Sequence, residues 1–137
     1  MAKNTDREIV QHINQAFADL ILSLKDLARS GLSPHYILRS AATIEQLCGG
    51  LTSNLWDDPF EWTLPETLSS PDRIVDYLSE VDLARERAFA SIDDAALTKY
   101  IAVPSGKERQ LISVLLETLV RAGEFRGRAA TEGRPYS

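Results

Sequence analysis

The sequence has little of what the familiar enzyme classes are built from. Among its 137 residues one is cysteine, two are histidine and seven are glycine. A single cysteine excludes an intramolecular disulfide. The glycines are scattered and form no phosphate-cradling loop. There is also no Cys-x-x-Cys, no His-Glu-x-x-His and no Glu-x-x-His pair of a di-iron bundle. No apolar run is long enough to span a bilayer, and MAKNTDREIV lacks the apolar core of a signal peptide. These absences predict a cytoplasmic chain with no membrane partner. Positive charge is scarce as well. The net charge is −5, and the basic residues mostly interleave with acids, as in DRIVDYLSEVDLARER. That pattern speaks against a nucleic-acid surface, which needs a concentrated basic patch. Only the end is locally basic, through Arg121, Arg126, Arg128 and Arg134, where arginines complement a helix dipole.

What is present is ordinary in amount and informative in spacing. Apolar residues make up 44% and charged residues 26%, the balance of a globular protein. The length suits one domain over 1–137 with a single core. Thr5 and Glu8 form a capping box that opens a first helix. Ile9, Ile13, Ala16, Phe17, Leu20, Leu24 and Leu27 carry it to about Ala28. Gly31 and Pro34 then break the chain. A second helix covers about His35 to Leu55, with Ile37, Ala41, Ile44, Leu47, Cys48 and Leu51 on its apolar stripe. Gly49 and Gly50 lie inside that stripe, where each costs about 1 kcal/mol against alanine. Either another backbone approaches closely there or the helix ends early.

The stretch WDDPFEWTLPETLSSP holds both tryptophans and no helical period. It reads as a long ordered connection between helices two and three, pinned by Trp56, Phe60 and Trp62. Its length points to a crossover rather than simple up-down order. Ser70–Pro71 is a strong helix start. Ile74, Tyr77, Leu78, Val81, Ala84, Ala88 and Phe89 carry the third helix to about Ser91. A turn-like piece with a brief extended stretch at Tyr100–Val103 follows. Ser105 and Glu108 form a second capping box, opening a fourth helix through Leu111, Leu115, Thr118, Leu119, Ala122, Phe125 and Ala129. Residues 131–137 read as a frayed tail. The sum is an all-α four-helix bundle.

Few residues invite chemistry. His12 sits at the edge of the first stripe, where a metal reading would pair it with Cys48 and Glu45 or Glu117, and a hydrogen-bonded boundary histidine is the plainer reading. His35 follows Pro34 and reads as exposed. Cys48 lies on an apolar face, where a thiol is inert unless positive groups approach. Arg121 falls at or beside the inward stripe of the fourth helix, with Glu117 one turn before it in the favourable order for an ion pair. A buried arginine must be paired. Either Glu117 or another acid holds it, or it binds a small anion.

The helix order, the segment DDPFEWTLPETLSSPDRIVDYL and the pattern RAGEFRG make the chain resemble the DinB-like four-helix bundles over nearly its whole length. In that family, His-x-x-x-His-x-Gly stands in the last helix. A further histidine stands on the second helix, about eight residues before a tryptophan, and the three hold a divalent metal. Some members resemble transferases or isomerases that use low-molecular-weight thiols. The resemblance places Gly127 at the glycine and Trp56 at the tryptophan. Cys48, Arg121 and Phe125 then fall at the three ligands. Phenylalanine cannot ligate and arginine repels a cation. The expectation is therefore a bundle with no metal and no cofactor, acting as a binding or structural protein and forming a homodimer. Cys48, Phe125, Glu117, His12 and Trp56 would surround an Arg121 that takes the metal's place. Two alternatives stand beside it. One is a metal-independent enzyme that keeps the family pocket, with Arg121 on an anionic substrate. The other is a partner-binding module that presents the Trp56–Trp62 segment.

Overall fold

The computed structural model describes residues 5–32, 34–54, 56, 70–104 and 106–132. Four long helices pack against one another: α1 (Glu8–Arg29), α2 (Pro34–Ser53), α3 (Pro71–Ala90) and α4 (Leu111–Glu132). Between α3 and α4 lie a 3₁₀ turn (Asp94–Thr98) and an antiparallel hairpin, β1 (Tyr100–Ala102) and β2 (Glu108–Gln110). Most of the segment expected to pin the connection, including Phe60 and Trp62, falls outside the described residues, as do Ser105 and the end of the tail.

The helices begin and end for local reasons. Ser70 accepts a hydrogen bond from the Arg73 amide at 3.3 Å, and Pro71 follows at the first helical position, as the sequence predicts. α1 departs from expectation. Arg7, not Thr5, occupies its cap position and makes no side-chain cap. The Asp94 carboxylate instead accepts from the amides of Ile9 and Val10, at 3.1 and 2.9 Å. In return Arg7 donates to the carbonyls of Phe89 and Ile92. The phase of α1 shifts accordingly: Val10 is buried and Ile9 exposed, because Val10 stands one turn before Ile13 on the line through Phe17. The second expected capping box is replaced by the hairpin. Glu108 is a strand residue paired with Ala102, and Gly106 supplies the left-handed turn at φ 81°. β2 runs directly into α4, which continues to Glu132, beyond the point where fraying was expected.

Contacts fix the directions. Ser40 meets Ala122 and Tyr36 meets Phe125, so α2 and α4 run antiparallel. Asn14 meets Arg85 and Arg7 meets Ile92, so α1 and α3 do too. Glu45 accepts from the Tyr77 hydroxyl and Cys48 feels Arg85, so α2 and α3 run side by side in the same sense. The end of α2 and the start of α3 therefore lie at opposite ends of the bundle. The core lies on the axis, with Phe17, Ile21, Leu24, Ile37, Leu38, Ile44, Leu47, Leu78, Phe89 and Leu115 fully buried.

Candidate ligand-binding cleft

The cleft is built from the end of α2. Gly50 stays helical, and Asn54 turns the chain at φ 55°, a left-handed conformation that asparagine tolerates. Trp56 then folds back. Its carbonyl accepts from the Gln46 side-chain amide at 2.7 Å and its indole N–H donates to Asn54 at 3.2 Å. The indole lies so close over Gly50 that an added Cβ would stand 2.2 Å from it. That close approach is what the glycine permits, and it comes from a side chain.

Trp56 forms one wall of a part-enclosed cleft of about 310 Å³. Thr43, Gln46 and Leu47 enter from α2, and Val103, Pro104 and Arg109 from the hairpin. α4 adds Val114, Glu117, Thr118 and Arg121. The sequence puts Arg121 at or beside the inward stripe, held by Glu117, by another acid or by a small anion. Instead it is exposed, because the buried line of α4 runs through Leu111, Val114, Leu115, Ala122 and Ala129. Glu117 is taken by Arg109, whose guanidinium makes two hydrogen bonds to the carboxylate across the hairpin–helix junction. The Arg109 hydrogen bond is the main reason the Glu117 carboxyl is held below its ordinary value, and the charges of Arg109 and Arg121 add to it. Among the described residues Arg121 makes no hydrogen bond and no ion pair.

The hydroxyls in the cleft have already spent their protons. Thr43 donates to the Arg39 carbonyl and Thr118 to the Val114 carbonyl, each at 2.8 Å. Each therefore faces a ligand as an acceptor, as does the Gln46 side-chain oxygen. Among the described residues the cleft thus offers one uncommitted cation, several acceptors and the apolar surfaces of Trp56, Leu47, Val103, Pro104 and Val114.

The other expected site residues do not gather here. Phe125 stacks on Tyr36 with ring centres 6.3 Å apart, and the Arg39 guanidinium lies 5.5 Å above its ring. Cys48 is twelve residues further along α2 than Tyr36, about 18 Å at the helical rise. It is buried against the α3 side, and burial pushes its thiol up to about 12, with Arg85 opposing and Glu45 adding. Cys48, Arg121 and Phe125 thus fail to converge on one point. His12 is exposed on α1 and His35 exposed at the start of α2 with its ring edge-on to Tyr36. No group of three His, Cys, Asp or Glu side chains able to hold a metal occurs among the described residues.

A second polar cluster went unread in the sequence. Among the described residues the buried arginine is Arg85, only 7% exposed. It donates to Asp82 at 2.8 Å and to the Asn14 side-chain oxygen, with Glu86 at 3.6 Å. The spacing D-x-x-R in DLARER was its only visible signal. Among the described residues no helix is long and apolar enough to cross a membrane. Comparison with protein-family models, with curated proteins and with solved structures finds no match for this chain.

Proposed function

We propose that the protein is a metal-free bundle of DinB-like architecture that binds a small organic anion in the cleft between α2, α4 and the hairpin. One observation carries the reading. Among the described residues Arg121 stands in a polar cleft with no hydrogen bond or ion pair, while Glu117, one turn before it, is occupied by Arg109. A guanidinium in that position suits a carboxylate or phosphate. The acceptors of Thr43, Thr118 and Gln46 favour a ligand that also carries hydroxyl or amino donors. A hydroxy- or amino-carboxylate with an apolar body fits both. About 310 Å³ is the small end of ligand sites. A thiol-transfer role is less well supported, since Cys48 is buried away from the cleft and stays a neutral thiol near neutral pH.

Thermal melts with phosphate and with a panel of carboxylates, with and without a 2-hydroxyl, test this. A ligand at a hundred times its dissociation constant stabilises the folded state by about 2.7 kcal/mol, on the order of 10 °C for a domain of this size. The 2-hydroxy compounds should exceed their parent acids in wild type and do nothing for Arg121→Leu. Equal stabilisation of both proteins removes the anion site.

A further inference from the structure

The outward face of α4 belongs neither to the core nor to the cleft. At about 100° per residue, Leu116, Val120, Gly123 and Gly127 fall opposite the buried line of that helix. Leu116 is 43% and Val120 62% exposed. An added Cβ at Gly123 or Gly127 would meet nothing within 4 Å, so the helix is bare where the glycines stand. The face is therefore lopsided, with bulk in its N-terminal half and none in its C-terminal half. Along one edge run Glu117, Arg121, Glu124 and Arg128, alternating in sign at spacings that read the same in both directions.

We propose that a second copy of the chain packs on this face, α4 against α4 and antiparallel, about a twofold axis between Ala122 and Gly123. That operator lays Leu116 and Val120 of each copy over the glycines of the other and lets the backbones approach at Gly123. A parallel pair would set bulk against bulk and leave the glycines facing across a gap. In an antiparallel pair like edges meet, and the charge string reversed on itself sets Arg121 opposite Glu124 and Glu117 opposite Arg128, each twice. Glu117 already holds Arg109, and Arg128 lies over the Tyr36 ring, so the inner pair, Arg121 with Glu124, sets the register. One helix pair buries less than the roughly 1,600 Å² of a standard interface, so the dimer is reversible, with a dissociation constant on the micromolar scale. The proposal stands without the anion site, because Leu116, Val120 and Gly123 do not line the cleft. Arg121 serves both, and an anion in the cleft competes with Glu124 of the second copy for it.

Sedimentation equilibrium from about 1 to 500 µM, a range that brackets a micromolar constant, tests the proposal, with circular dichroism checking that each variant is helical. Wild type should shift from monomer to dimer across the range. Val120→Glu should weaken association at least about a hundredfold, and Leu116→Lys, a second substitution at an exposed position, should act likewise. Glu124→Arg should weaken it about tenfold by setting like charges opposite, and the double change Arg121→Glu, Glu124→Arg should restore it to within about threefold. A wild type that stays monomeric overturns the proposal, as does a dimer indifferent to Val120→Glu and Leu116→Lys. A double swap no tighter than Glu124→Arg overturns the antiparallel register.

Discussion

Two arginines divide this bundle. Arg85 lies between α1 and α3, buried, with Asn14, Asp82 and Glu86 around it. Arg121 lies on α4, exposed beside an open cleft, with Glu117, one turn before it, turned to another arginine. The first sits in a closed, satisfied network. The second is a charge left available. A buried charge without partners is strongly destabilising, whereas an exposed one costs little. The difference teaches where to look for function. The polar cluster that the fold satisfies serves stability and orientation, and the one it leaves open can meet a ligand.

Chemistry at Cys48 gives the largest separation between the two sides. The thiol belongs to the closed region, and its rise from 9.0 to about 12 lowers the thiolate fraction near pH 8 about a thousandfold. Modification by a thiol-reactive disulfide reagent should be slower in the native protein than in the urea-unfolded chain by at least that factor. Comparable rates would show that the closed side opens readily.

The next effect is energetic. Asp82→Ala leaves Arg85 buried with reduced compensation and should cost about 3 kcal/mol in urea unfolding. Arg85→Met removes the charge together with its need for partners and should cost less than half of that. On the open side, Arg121→Met should stay within about 0.5 kcal/mol. Equal losses for Asp82→Ala and Arg121→Met would erase the distinction.

The smallest effect is a pH dependence at the edge of the cleft. The folded-state value of Glu117 is lowered from 4.5, chiefly by the Arg109 hydrogen bond. The stability it contributes is therefore complete above about 4.5 and is lost as pH falls through the depressed value. Glu117→Gln should unfold with a shallower acid limb than wild type below pH 4.5 and match its pH dependence at neutrality. Parallel acid limbs would mean that the Arg109–Glu117 pair does not hold in solution.

Much of the fold was legible because helix packing repeats. The stripes through Phe17, Ile37, Ile44, Leu78 and Leu115 are buried as their spacing requires, and Ser70–Pro71 starts α3 by chemistry confined to four residues. The parallel course of α2 and α3 agrees with the crossover that the length of chain between them pointed to. Illegible features depend on partners far along the chain. Asp94 caps α1 across 85 residues, which no local capping pattern could reveal. The first strand was legible as the extended stretch at Tyr100–Val103, but its pairing was not, because Glu108 fits a capping pattern as well as a strand. Arg121 reads at or beside the inward stripe because it lies only about 100° from Ala122 on the helix, and Arg85 gives no sign of burial because its Asp82 spacing resembles an ordinary surface pair.

By itself the sequence determined the helical class, the four long helices found among the described residues and the apolar lines that must face inward, since period and local caps act within a few residues. Tertiary structure alone decided which arginine is buried, which acid Arg109 holds, and that Trp56 folds onto Gly50 to wall a cleft. These outcomes turn on solvent exclusion and on contacts between helices, and both exist only once the helices have packed.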